Sequence, residues 1–150
     1  MPKNKSRAKL DPLVQQITSL QSPAVIEVST DGFNAAALAL ALVTALHKAD
    51  GYAIIVDRAP VFSKDTLLHA LYQSGEFPKT FGFNWDALVD SLSDFSWAEH
   101  KSYTLILKQP NLLKERAPAE YDTLLEVLQA VSERWAQDSV PFKLVLLHES

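Results

Sequence analysis

Four short apolar runs, separated by longer segments with helical features, constrain the fold of this 150-residue chain more than any other feature. The runs are AVIEVS (24–29), YAIIV (52–56), YTLIL (103–107) and FKLVLL (142–147). Each is rich in β-branched or other large apolar residues, as strands are. Strands that alternate with helices usually form parallel sheets through right-handed crossovers. We therefore predict an α/β fold in which helices cover a mostly parallel sheet of about four strands.

The segments around these runs predict five helices, in the order α-β-α-β-α-α-β-α-β. Asp11 is a good N-cap and Pro12 suits the first helical position, which predicts a first helix to about Leu20. The other predicted helices cover 33–48, 63–75 with Ser63 as N-cap, 84–95, and 118–137. The run at 52–56 is continuously apolar, which predicts burial on both faces of its strand.

The first ten residues differ from the rest of the chain in their charge. Lys3, Lys5, Arg7 and Lys9 are not followed by the apolar run that a secretory signal needs. We therefore expect a flexible basic tail at 1–10, a single domain over 11–150 and a cytoplasmic protein. The longest apolar stretch, 35–46, is shorter than the roughly 20 residues that span a bilayer, so no membrane partner is expected.

Charge and motif content exclude several functions. The formal net charge of −4 argues against direct binding of nucleic acid and suits a basic partner. The chain lacks cysteine, its four glycines form no phosphate loop, and its four histidines lack the spacing of metal ligands. We therefore expect no catalytic residues, no metal and no cofactor.

The most informative segment, 77–94, combines a helix start with an acidic pair. Asn84 is a favourable N-cap. The apolar residues that follow recur at i, i+3, i+4 and i+7, which predicts one buried face made of Trp85, Leu88, Val89 and Leu92. Asp86 and Asp90 are four residues apart and lie together on a neighbouring ridge. Between 76 and 94, four acidic residues and one lysine give a formal charge of −3. This spacing is also typical of an ordinary solvated helix face.

At this segment the chain resembles the barstar family of ribonuclease inhibitors. The matching pattern, FPxxFGxNWDALxDxLxD, covers 77–94, and the resemblance extends from about Tyr52 to Leu147. It implies a small parallel sheet covered by helices, with a family core at 51–150. Residues 11–50 are then an added helix-strand-helix that gives the sheet its fourth strand.

The resemblance also implies a partner-binding surface, made of Asp86, Asp90, Thr80, Gly82, Asn84, Val89 and Glu133. The carboxylates of Asp86 and Asp90 would pair with the cations that otherwise hold RNA phosphate. Glu133 matches a third contacting acid. Thr80 and Val89 stand where the family has a tyrosine and a tryptophan, which removes aromatic contact area and leaves the target open.

Three functions are compatible with these features. The first is an inhibitor or antitoxin that blocks the active site of a basic ribonuclease or related toxin. The second is a barstar-like interaction module with a non-nuclease partner. The third is a hydrolase whose site, for example near Asp31-Gly32 at a strand end, has no sequence motif.

Overall fold

The computed structural model describes residues 2–30, 34–56, 60–75, 77, 79, 81–94 and 99–148, with side chains from Leu10 onward. The strands are β1 (Val25–Ser29), β2 (Gly51–Val56), β3 (Ser102–Lys108) and β4 (Phe142–His148). The helices are α1 (Pro2–Ile17), α2 (Ala35–Lys48), α3 (Lys64–Ser74), α4 (Trp85–Ser93), α5 (Asn111–Arg116) and α6 (Pro118–Gln137).

The four strands form one all-parallel sheet in the order β1-β4-β3-β2. The central strands β3 and β4 are buried along their whole length except for the last residue of each. β1 pairs with β4, so the N-terminal helix-strand-helix supplies the fourth strand at one edge. The predicted α/β class and parallel sheet are confirmed.

Helices cover both faces of the sheet. Successive side chains of a strand point to opposite faces, so neighbouring residues of one strand pack against different helices. Leu105 and Leu107 of β3 pack with α3, α4 and α6 in one apolar cluster. Ile106, between them, packs with α1 and α2 in a second cluster on the other face. In the described part of the chain, no helix is long and apolar enough to span a membrane.

Side-chain caps define where α2 and α3 begin. Asn34 Oδ1 accepts hydrogen bonds from the backbone N–H groups of Ala36 and Ala37. Ser63 and Thr66 form a reciprocal capping box at the start of α3, which confirms the predicted N-cap. Gly75 ends that helix, also as expected.

The predicted start of the first helix is wrong. α1 begins at Pro2 and contains Pro12 in its interior, so Asp11 is not the N-cap and the segment expected as a tail is helical from Pro2. An internal proline normally weakens a helix by about 3 kcal/mol. Leu13 and Ile17 are buried in the second cluster, and this packing overrides the local preference.

Two further features differ from the prediction. α5 has only six residues, too few for a recognisable apolar period, although its Leu113 is fully buried. β2 is an edge strand, and the expected burial on both of its faces is only partly met. Ile54 and Val56 are buried in the first cluster, whereas Ala53 and Ile55 are half-buried against the second. A continuous apolar run does not distinguish an edge strand from a central one.

Lys143 is a buried cation on the central strand β4. Its side chain is 3% exposed, and its Nζ donates a hydrogen bond to the backbone oxygen of Ser22 at 2.6 Å. Burial lowers the pKa of Lys143 below its ordinary value of 10.5. The unfolded chain therefore binds more protons than the folded chain at pH values between the two pKa values.

We predict that the free energy of unfolding rises, relative to that of Lys143→Met, as the pH increases from the lowered pKa towards 10.5. Below this interval the cost of burying the charge is fully present. Both proteins keep Tyr103 and Tyr121, whose pKa values are raised mainly by burial, so their contribution cancels. Urea unfolding across the alkaline range measures this difference, with the exposed Lys101→Met as control. Parallel pH profiles for wild type and Lys143→Met would contradict the prediction.

Candidate protein-binding surface

The start of α4 is fixed by the side chain of Asn84. Its Oδ1 accepts a hydrogen bond from the backbone N–H of Ala87 at 2.7 Å, which confirms the predicted N-cap. Its Nδ2 donates to the backbone oxygen of Gly82 at 3.2 Å. A Cβ atom at Gly82 would lie 3.1 Å from that Nδ2 atom, so a side chain there would press on the cap.

An aromatic cluster holds the residues before α4. Phe83 has a φ of 51°, a left-handed backbone conformation that costs a non-glycine residue about 1–2 kcal/mol. Its ring lies 4.4 Å from His69, 4.9 Å from Phe81 and 5.1 Å from Tyr72, measured between ring centroids. Phe81 is buried. The free energy of these ring contacts is large enough to offset the strain. The segment that precedes α4 is therefore held in one conformation.

One face of α4 packs on the core. Leu88 and Leu92 are fully buried, and Trp85 and Val89 are half-buried against the same cluster. At the other end of the helix, Trp135 Nε1 of α6 donates a hydrogen bond to the backbone oxygen of Leu92 at 2.8 Å. That carbonyl belongs to the last turn of α4, where it accepts no hydrogen bond from an N–H group of the same helix. The helix is therefore held both by apolar packing and by a directional bond.

The Asp86 and Asp90 side chains are exposed on the outer side of α4. Within the described residues, neither carboxylate takes part in an ion pair or hydrogen bond. Asp86 lies in the first turn, where the helix dipole favours a negative charge. The mutual repulsion of the pair costs only a few tenths of a kcal/mol. Two solvated carboxylates thus stand about one turn apart, available to a partner.

The other predicted contact residues have different environments. Glu133 is exposed on α6 and accepts a hydrogen bond from Gln129 Nε2 at 3.2 Å. It lies two residues before Trp135, in the part of α6 that holds α4, but no described contact joins it to α4. Gly82 and Asn84 are exposed and Val89 is half-buried. Thr80 lies outside the described residues, as do Asp31 and Gly32. The part that any of these residues takes in partner binding stays a prediction.

Two residues that position α4 are not among those predicted from the sequence. Trp135 continues the apolar spacing of Leu128 and Val131 on α6, so the helical period could have identified it as a packing residue. Lys64 places its Nζ 5.9 Å from the centre of the Trp85 ring. This contact joins α3 to the start of α4, and no local pattern indicates it.

Two open cavities of the described surface are not lined by any residue of α4. One, of about 880 Å³, lies between α1 and α2. The other, of about 660 Å³, lies near the starts of β3 and β4. Among the described residues, no group of three or more histidine, aspartate or glutamate side chains could hold a metal ion. The acidic pair is therefore a surface feature separate from both cavities.

The sequence model of the Barstar family, described as Barstar (barnase inhibitor), matches residues 51–147. Because the match covers well over half of the 150 residues, the chain belongs to the Barstar family. The match begins with β2 and includes α4, β3, α6 and β4, whereas α1, β1 and α2 precede it. A search of curated proteins found no match.

We predict that Asn84→Ala lowers the free energy of unfolding by about 1 kcal/mol, because the N–H of Ala87 loses its acceptor. Asn84→Asp keeps an equally good cap and is the matched control, with an expected change of a few tenths of a kcal/mol. Urea denaturation of the three proteins measures the effect. An equal loss in both variants would show that the cap does not stabilise α4.

Proposed function

We propose that this protein inhibits a basic ribonuclease by placing α4 and the preceding loop in the enzyme's active site. Membership of a family described as barnase inhibitors supports this function. The observation that carries it is the exposed acidic pair on a docked helix, with both carboxylates unpaired among the described residues.

In the proposed complex the carboxylates of Asp86 and Asp90 take the place of RNA phosphates. A ribonuclease binds phosphate with arginine, lysine and histidine side chains, and these donate charge-assisted hydrogen bonds to carboxylates equally well. Exclusion of water from the interface strengthens each pair. The formal charge of −3 between residues 76 and 94 adds electrostatic steering towards a basic cleft.

Preorganisation of α4 supports the same proposal. Leu88, Leu92 and the bond from Trp135 fix the helix before a partner arrives. Binding then requires the ordering of two short aspartate side chains and no folding of the backbone, which lowers its entropic cost. Glu133 is proposed as a third acidic contact at the margin of this surface.

A control carboxylate far from α4 is provided by Glu27 of β1. β1 contacts α6, and the Glu27 carboxylate adds to the rise in the pKa of Tyr121, in the first turn of α6, that burial causes. Trp135, which holds α4, follows Tyr121 by fourteen residues of the same helix, or about 21 Å along its axis. Glu27→Ala therefore removes one negative charge, together with a contact to His148 at 3.1 Å, and leaves the proposed surface intact.

We predict that one molecule of the wild-type protein suppresses RNA hydrolysis by one molecule of ribonuclease. The enzyme tested is barnase, or a ribonuclease that co-purifies with the tagged protein. Asp90→Ala and Asp86→Ala each weaken the complex by about 2 kcal/mol or more, roughly 30-fold, because a partner cation loses its counter-charge. Glu27→Ala binds like wild type, and added salt weakens all complexes. Inhibition titrations at two salt concentrations measure these effects.

Two outcomes would contradict the inhibitor proposal. If a protein co-purifies with the tagged chain and its nuclease activity is unchanged by binding, the chain is an interaction module with another type of partner. Equal binding by Asp90→Ala and wild type would exclude the acidic pair as the contact.

A further inference from the structure

The outward side of α2 is unusually apolar for an exposed helix. Leu40 is 65% exposed, and Ala37 and Ala41 beside it are also exposed. The open cavity of about 880 Å³ lies along this side, between α2 and α1. Leu10 and Val14 of α1 form much of its other wall. We call this surface the α1/α2 groove.

The two helices run in the same general direction. Thr18, which follows α1, and Ala49, which follows α2, line the same second cavity, so the C-terminal ends of the helices meet there. Lys48 therefore lies at that end of the α1/α2 groove. Asp11 lies seven residues before Thr18, or about 10 Å further back along α1.

The groove thus carries opposite charges at different points along its length. Asp11 and Lys48 are both exposed, and in the part of the chain that the structure describes neither forms an ion pair or hydrogen bond. A two-fold axis at right angles to the length of the groove would reverse the direction of the second copy. It would bring Asp11 of each copy towards Lys48 of the other. In such an isologous contact, each residue pair occurs twice.

We propose that the α1/α2 groove binds a second copy of this chain in an antiparallel, two-fold arrangement. The same patch provides a projecting leucine, small side chains along the α2 wall of the groove, and complementary charges in reversed order. Those are the elements that a self-complementary surface needs. Leu40 of each copy then packs towards the groove of its partner.

The size of the groove sets the expected strength of the dimer. Ten residues line it, whereas a stable interface uses about 20–30 residues on each side. We therefore expect a weak dimer, with a dissociation constant between about 10 µM and about 1 mM. The exposed Asp11–Lys48 pairs would make dimerisation weaker as salt is raised.

The dimer leaves the acidic surface free. α1 and α2 pack on one face of the sheet and α4 packs on the other. Each copy in the dimer could therefore bind its own partner. The proposal does not depend on ribonuclease inhibition, and its test requires no nuclease.

Sedimentation velocity of the full chain, from about 5 µM to about 1 mM, tests the dimer. The expected result is a concentration-dependent shift from monomer to dimer. Leu40→Glu should abolish this shift, whereas Leu20→Glu, at a residue that is 44% exposed and outside the groove, should not. Circular dichroism establishes that each variant is folded.

A charge exchange tests the antiparallel arrangement. Asp11→Lys and Lys48→Glu alone should each weaken the dimer several-fold, and the double variant should restore it, because the pairs then form with reversed sign. A wild-type chain that is monomeric throughout the concentration range would overturn the proposal. A Leu40→Glu variant that dimerises like wild type would also overturn it, as would a double variant no better than the single ones.

Discussion

The acidic surface of this protein depends on how one short helix is anchored. α4 has nine residues, too few to be stable in isolation, so its position depends on tertiary contacts. Leu88 and Leu92 fix one face in the core, and Trp135 holds the last turn through its indole N–H. With that face buried, the ridge of Asp86 and Asp90 faces water. Burial of either charge without a partner would cost several kcal/mol, and the anchoring avoids this cost by leaving both carboxylates in water.

The N-terminal addition changes the sheet without changing this surface. Residues 51–147 match the family, and β1 extends their sheet by pairing with β4. α1 and α2 cover the face opposite α4, in an apolar cluster that shares none of its buried residues with the first. The acidic helix and the α1/α2 groove are therefore separated by the sheet. The proposed partner and the proposed second copy would therefore contact opposite sides of the molecule.

Much of the fold could be predicted from local patterns. The four strands, the caps at Ser63 and Asn84 and the buried period of α6 follow from neighbouring residues, since strand alternation and helix capping act over a few positions. The parallel orientation of the strands followed from the alternation of strands and helices. The length of α1, the short α5 and the edge position of β2 did not follow. Packing against distant segments outweighed the local preference in α1. α5 is too short to show an apolar period, and an apolar run does not indicate whether a strand lies at the edge of a sheet.

The sequence by itself determined that Asp86 and Asp90 share one ridge, because four residues make slightly more than one helical turn, and that Asn84 begins that helix. Only the tertiary structure decided that the carboxylates have no internal partner among the described residues. A counter-charge could have come from any part of the chain. Trp135 contacts α4 from 43 residues away, and rings of α3 hold Phe83 in its left-handed conformation. Such contacts depend on how the elements pack in space, which the spacing of residues along the chain does not specify.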